Sequence, residues 1–444
     1  MSGQTILSMF AAQAERTPER AALITVNRAL TYAALSANVK THALALPVNR
    51  QPVLIMTDDK ADFIASFFAA MFARRPAFPL PQTPHAARPA RFHIGAQPDE
   101  FYWGATSGST GEPKIFARTH ASWIASFAAH EAVFPFGEAE TVMIPGALTH
   151  SLFLYGAVHA LARGDTVLAP RRFSPKSVIK AMRDYRATVL YAVPSMLEEL
   201  LAAGATGLNL KYVFCGGAKL GTGLRRRFES AAPGADIIEF YGASELSFVS
   251  YVSTSHPAPD GSVGRLFPDI VADVRLENGQ QASAGDKGLI HISSPMLFSG
   301  YLGEPPVVAG EFVTAGDLGF VDAEGFLYLT SRADREINSK GHKITPETVE
   351  MVLAQHPHIV GAAVVGIADE KRGAIVAAAI EVAKGARLSR AELSAHCRAL
   401  LPLADCPQLY FQAARLPMTR TGKIAFSQIH ADLEGGAAGY EALT

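Results

Sequence analysis

Between residues 121 and 241 the apolar positions alternate between two spacings. Runs with apolar residues three and four apart predict helices near 121–134, 149–163, 174–185, 195–203 and 221–231. Short continuous apolar runs between them predict buried strands at 141–144, 166–169, 188–192, 212–215 and 236–240. Strands of this kind, separated by helices, imply a mostly parallel sheet covered by helices on both faces. Ligands of such sheets sit beyond the carboxyl ends of the strands. Two of the strand ends run directly into glycine. Tyr212-Val-Phe-Cys215 leads into Gly216-Gly217-Ala218, and Ile237-Ile-Glu-Phe240 leads into Tyr241-Gly242.

The flanking segments read differently. Residues 5–15 form an amphipathic pattern, and Thr31 is placed to cap a helix opening at Leu30–Leu35. Val53–Met56 reads as a buried strand, and Asp58 or Asp59 caps a helix reaching Ala73. Pro84–Pro98, rich in Pro, Ala and Arg, reads as loop. From about 262 to 330 the texture is short strands punctuated by Asn278-Gly279, Gly285-Asp286, Gly316-Asp317 and Glu324-Gly325, as in a small β-barrel. Residues 335–444 read as a compact α+β tail, with a helix over Pro346–Ala354 and strands at Gly361–Gly366 and Ala374–Ile380. The expected fold class is therefore α/β. A large N-terminal domain combines helix-covered, mostly parallel sheets with a small β-barrel, and a small α+β domain follows.

Bulk properties narrow the function. A chain of 444 residues holds two or three domains. A formal net charge of −1 points to neither nucleic acid nor an anionic membrane surface. Cys215, Cys397 and Cys406 are too scattered for a disulfide framework or a zinc site, and suit thiols in a reducing compartment. The N-terminus lacks the basic start of a signal peptide, and the apolar run Phe63–Ala73 is too short to span a bilayer. A soluble, cytoplasmic protein is expected.

One stretch carries the candidate chemistry: Ala105-Thr106-Ser107-Gly108-Ser109-Thr110-Gly111-Glu112-Pro113-Lys114. Small residues bring backbone N–H groups close to a ligand, hydroxyls add donors, and the lysine adds a mobile positive charge. The combination suits a polyphosphate; composition alone also admits a flexible linker. It is not a Walker A loop, because Glu112 and Pro113 separate Gly111 from Lys114 and Ile115 follows. No G-x-G-x-x-G and no G-x-S-x-G occurs, so neither a dinucleotide fingerprint nor a serine-hydrolase elbow is supported.

The string T-S-G-S-T-G-x-P-K resembles the phosphate-loop signature of the adenylate-forming superfamily of acyl-CoA synthetases, peptide-synthetase adenylation domains and luciferases. Further motifs follow in that family's order. Gly216-Gly217-Ala218, by itself an ordinary turn, corresponds to a backbone segment packed against adenine. Tyr241-Gly242-Ala243-Ser244-Glu245 is similar to Y-G-x-[ST]-E. The resemblance implies that Tyr241 stacks on adenine, Ser244 reaches the α-phosphate and Glu245 is the Mg²⁺ ligand. Ala315-Gly316-Asp317 is similar to T-G-D, with Ala for Thr, which assigns Asp317 to the ribose hydroxyls. Ser331-Arg332-Ala333-Asp334 resembles G-R-x-D, with Ser for Gly. Arg332 is then a second ribose contact and Asp334 the hinge between domains 1–333 and 334–444. Gly341, in Lys340–Glu347, is implied to line the passage for a pantetheine thiol. Pro417-Met-Thr-Arg-Thr-Gly-Lys423 resembles P-x-T-x-x-G-K, which assigns Lys423 to the substrate carboxylate and α-phosphate.

His150, in Pro145–Gly156, resembles the substrate-facing histidine of acyl- and aryl-CoA synthetases; a satisfied histidine at a helix start is the equal alternative. Amino-acid-activating relatives usually carry an aspartate near this position, and none lies between Thr141 and Leu161. The chain between Pro81 and the phosphate loop is shorter than is usual in the family, which leaves a reduced first subdomain.

The resemblance, spread over nearly the whole chain, implies an AMP-forming acyl-CoA synthetase using ATP, Mg²⁺ and CoA. Alternatives of the same or another class are loading of a carrier-protein phosphopantetheine, and nucleotide binding without turnover. An acyl pocket built from 148–156, Val213–Ala218 and Ser244–Val249 would be lined by Ala243, Leu246 and Phe248, and favours an apolar monocarboxylate.

Overall fold

The structure, a computed structural model, describes residues 3–81, 99–106, 114–418, 424–436 and 439–444. The alternating stretch folds as its spacing requires. Helices span His120–Val133, Ser151–Arg163, Pro175–Asp184, Pro194–Ala202 and Thr222–Ala231. Between them, strands Thr141–Met143, Thr166–Leu168, Val189–Ala192, Tyr212–Cys215 and Asp236–Ala243 are parallel neighbours, and Ala21–Ile24 joins them in parallel beside Thr166–Leu168. Val189–Ala192 is buried at every position, because helices cover both faces.

At Asp236–Ala243 the sheet changes character. The chain turns back through Ser247–Val252 in an antiparallel hairpin, and Ser262–Leu266, Phe326–Arg332, Asp317–Val321, Gly288–Ser293 and Val271–Arg275 continue outward, all antiparallel. The segment expected as a small barrel thus extends the parallel sheet into one 13-stranded ladder, whose hydrogen-bonding order is open-ended among the described residues. The turn between the parallel and antiparallel parts holds Ser244 and Glu245.

A second sheet of five strands contains Val53–Ile55, Ala77–Pro79 and Glu100–Thr106 in parallel, then Lys114–Thr119 and Gly300–Tyr301 antiparallel. Thr106 pairs with Lys114, so the Ser/Thr/Gly-rich stretch connects the two arms of a hairpin. Asp59 caps the helix Lys60–Phe72 by accepting from the N–H groups of Ala61 and Asp62. The residues between Leu80 and Glu100 that would show how far this subdomain is reduced lie mostly outside the described set.

The last hundred residues form a four-stranded sheet, Ile359–Asp369, Gly373–Val382, Leu409–Ala413 and Tyr440–Ala442, with helices Pro346–Leu353, Arg390–Leu400 and Phe426–Glu434. They carry their own apolar clusters around Val349, Val376 and Leu393, and around Ala377 and Ile429. The three cysteines are free and buried. Among the described residues no helix is long and apolar enough to cross a membrane.

Candidate active site

The site is assembled where the two sheets meet. Tyr241 lies near the end of its strand, and its hydroxyl donates to Asp317 Oδ2 at 2.5 Å. Burial, together with the adjacent Asp317 carboxylate, holds the phenol far above its ordinary range. Asp317 pairs in register with Arg332 on the neighbouring strand, and Arg332 Nη1 lies 3.6 Å from Asp317 Oδ1. Arg332 also donates to the Ala315 carbonyl at 2.7 Å and to Asp334 at 3.3 Å. A carboxylate held between a phenol and a guanidinium is oriented, and can accept from vicinal hydroxyls.

Gly216 is buried against the Phe240 ring; a methyl group there would lie 2.6 Å from Phe240 Cζ. Gly217 and Ala218 are exposed beyond it, so the backbone after Cys215 is open to a planar ligand. Gly242 is required for a different reason. A Cβ would sit 2.1 Å from the Ser247 carbonyl oxygen, inside the hairpin that carries Ser244 and Glu245.

Glu245 Oε1 accepts a 2.7 Å hydrogen bond from Tyr301. The Lys114 ammonium lies 4.7 Å from the centroid of the same tyrosine ring and pairs with Glu304 at 3.2 Å. Two motif positions far apart in sequence, Lys114 and Glu245, therefore converge on one residue, Tyr301. Ser244 Oγ lies 3.4 Å from Ser151 Oγ, at the start of the helix that His150 caps. His150 makes no side-chain cap bond; burial pushes its imidazole below its ordinary value, and Phe153 meets it edge-on at 6.5 Å.

Thr106 ends its strand, while Ser107, Gly108, Ser109, Thr110 and Gly111 lie outside the described residues, as does Lys423. Gly341 is exposed at the tip of the hairpin Ile337–Ser339/His342–Ile344, its N–H donating to Asn338 Oδ1 at 3.0 Å. Among the described residues its hydrogen bonds reach neither Glu245 nor Asp317. No cluster of three or more metal-binding side chains occurs among the described residues. A single carboxylate suits Mg²⁺, which takes one or two carboxylates and completes its shell with phosphate oxygens and water.

Two residues that the sequence reading passed over belong to this site. Tyr301 lies in Ser299-Gly-Tyr-Leu302, antiparallel to Lys114–Thr119. Arg118, a lone cation after Ile115-Phe-Ala, is 2% exposed. Such a residue in an apolar strand is a signal for an internal hydrogen-bonding role.

The sequence matches the AMP-binding enzyme family over residues 95–302 and the AMP-binding enzyme C-terminal domain over residues 348–423. An uncharacterized acyl-CoA ligase, YhfT, of Bacillus subtilis (strain 168) is 39% identical over 337 residues, 75% of this chain and 69% of the relative. The putative long chain fatty acid-CoA ligase VraA of Staphylococcus haemolyticus (strain JCSC1435) is 31% identical over 328 residues, 74% of this chain and 69% of the relative. The fold is that of o-succinylbenzoate coenzyme A synthetase (MenE) from Bacillus subtilis, solved in complex with ATP and magnesium ion. Its TM-score is 0.82 at 23% identity, over 95% of this chain and 98% of that one. The chain belongs to the AMP-binding enzyme family, among its AMP-forming acyl-CoA ligases.

Proposed function

We propose that the site activates a carboxylic acid with MgATP and passes the acyl group to the thiol of CoA. The observation that carries this reading is the hydrogen bond that joins Tyr241 to Asp317, together with the convergence of Glu245 and Lys114 on Tyr301. The substrate carboxylate attacks the α-phosphorus, the bond to the β-phosphate breaks, and pyrophosphate leaves. The thiol sulfur then attacks the acyl carbon, the thiol proton is released and AMP departs.

The residues divide this work. Gly216, Gly217 and Ala218 offer backbone to adenine, and Tyr241 offers its ring. Asp317 and Arg332 hold the ribose. Thr106 to Gly111, with Lys114, grip the β- and γ-phosphates, and Ser244 meets the α-phosphate. Glu245 would hold Mg²⁺, which would supply charge neutralisation to the phosphates. Lys423 stabilises charge developing on the carboxylate and α-phosphate oxygens. His150, kept neutral by its burial, lies beside the acyl carboxyl.

We further propose that 1–333 and 334–444 are separate domains that turn about Asp334. Support comes from two arginines. Arg332 is tied to Asp317 and Ala315, whereas Arg335 is tied to Glu347 at 2.8 Å, to Glu350 at 2.6 Å and to the Phe426 ring. In one orientation Lys423 serves adenylation; in the other Gly341, lacking a side chain, admits the thiol arm.

The test is ATP–pyrophosphate exchange over a panel of apolar monocarboxylic acids, with thioester formation measured with and without CoA. Acid-dependent exchange with thioester to CoA is expected. Exchange without CoA thioester points to a carrier-protein acceptor, and exchange with no acid overturns the reading.

A further inference from the structure

Arg118 lies wholly inside the protein and has no carboxylate within ion-pair distance among the described residues. Its three donors instead reach three separate places. Nε meets Ser122 Oγ at 3.3 Å, Nη1 meets the Ser244 carbonyl at 2.8 Å, and Nη2 meets the Met296 carbonyl at 2.7 Å. An unpaired buried cation is costly, and such groups persist where their hydrogen bonds do something else. Desolvation lowers this guanidinium to about 10, and the nearby Tyr102 phenol and Glu245 carboxylate work against that fall.

The two carbonyls belong to the segments that build the metal side of the site. Ser244 precedes Glu245. Met296 opens the stretch that donates the Phe298 N–H to the Glu245 carbonyl at 2.8 Å and ends at Tyr301, whose hydroxyl holds the Glu245 carboxylate. Arg118 itself stands on the strand that begins at Lys114 and pairs across to Tyr102. One side chain therefore ties the far arm of the phosphate-loop hairpin to the turn carrying Ser244 and Glu245, and to the segment that leads from Met296 to Tyr301.

We propose that Arg118 is a positioning residue for Mg²⁺-nucleotide binding: its planar fork fixes the Ser244–Glu245 turn against the Met296–Tyr301 segment, and its charge lies behind the Glu245 carboxylate. It touches no substrate, since it is sealed from the site surface. A lysine keeps the charge but cannot reach two carbonyls and a hydroxyl in one plane. The inference rests on the proposed role of Glu245 and not on turnover.

The test is calorimetric titration of the full chain with MgATP, with ATP in excess chelator, and with AMP, for wild type, Arg118→Met and Arg118→Lys. Wild type binds MgATP more tightly than metal-free ATP. In Arg118→Met, MgATP affinity falls on the order of 10–100-fold, as for loss of a group supporting a metal ligand. Affinity for metal-free ATP and AMP changes by less than about threefold, and Arg118→Lys lies between. Equal loss for all three ligands means a general structural role and overturns the proposal, as does unchanged MgATP binding. Where Arg118→Met does not fold, Arg118→Lys decides: wild-type MgATP affinity in it overturns the proposal. A protein that binds MgATP but exchanges with no acid refutes the acyl-CoA ligase reaction and leaves this measurement standing.

Discussion

Tyr301 donates its hydroxyl to Glu245 while its ring face carries the Lys114 ammonium. The two contacts use different parts of the side chain and separate cleanly. Tyr301→Phe keeps the ring and removes the donor. The Mg²⁺ concentration giving half-maximal pyrophosphate exchange should rise about tenfold, with AMP affinity unchanged. A Mg²⁺ dependence identical to wild type would show that Glu245 is oriented without this bond.

Asp317, set between Tyr241 and Arg332, should report on the ribose. Hydrogen bonds to charged groups contribute about 1.5–3 kcal/mol each. Asp317→Ala is expected to weaken AMP binding by roughly 10–100-fold. It should also erase the wild-type preference for ATP over 2′-deoxy-ATP in exchange. Retention of that preference removes Asp317 from the ribose.

Lys423 distinguishes the half-reactions. Lys423→Ala should slow adenylation on the order of a hundredfold or more, the loss expected for a transition-state charge contact. Thioester formation from preformed acyl-adenylate should persist. Equal loss in both steps, measured by single turnover, contradicts the two-orientation mechanism.

Gly242 tests the hairpin itself. In Gly242→Ala the new methyl group meets the Ser247 carbonyl at 2.1 Å, and a backbone atom cannot swing aside as a side chain can. A destabilisation of about 1–3 kcal/mol is expected, as for other overpacked sites. It should be read as a lowered Tm, with exchange lost beyond the stability effect because the Glu245 turn moves.

Acid should destabilise the fold through its buried histidines. Burial lowers His120 to about 4, and lowers His130, His150 and His159 as well. Each binds its proton more readily when unfolded, so its stabilisation is full above the unfolded value near 6.5 and is lost as pH falls toward the folded value. Asp165, raised by burial to about 6, acts in the opposite sense: its contribution is present below the unfolded carboxylate range and disappears as pH rises through 6. Against Asp165 and Glu350, both raised by burial, stand these four histidines and Lys60, which burial lowers to about 7, so a net fall in Tm from pH 7 to 5 is predicted. His120→Gln should shrink that fall; a flat profile would contradict the assignment.

The alternating stretch was legible to within a residue or two at most ends, because buried parallel strands and amphipathic helices leave strong periodic signals. Ser247–Val252 was not read as a strand. Its pairing depends on a reversal at Ala243–Leu246 that the parallel rhythm does not announce. The open-ended continuation after it was hidden for the same reason: turn residues mark where strands stop, but not which neighbour they choose. Tyr241, Glu245, Asp317 and Arg332 were visible as motif residues. Arg118 and Tyr301 were not, because their meaning lies in partners far along the chain. Arg118 reaches residues 126 and 178 positions away, and no local pattern encodes that.

Arg332 and Arg335 bracket Asp334 and are moored to opposite halves. Away from that short stretch, two ion pairs among the described residues cross between the halves: Lys287 with Glu336 at 3.0 Å, and Lys343 with Glu277. Both lysines are solvent-exposed, although Glu336 is largely buried, and ion pairs at the surface are worth about 0–1 kcal/mol and are screened by salt. The proposed rotation is therefore electrostatically shallow. Ionic strength should act on this enzyme as a rheostat, shifting occupancy between its two orientations, and the ratio of the two half-reaction rates should drift with added salt while each site's chemistry stays the same.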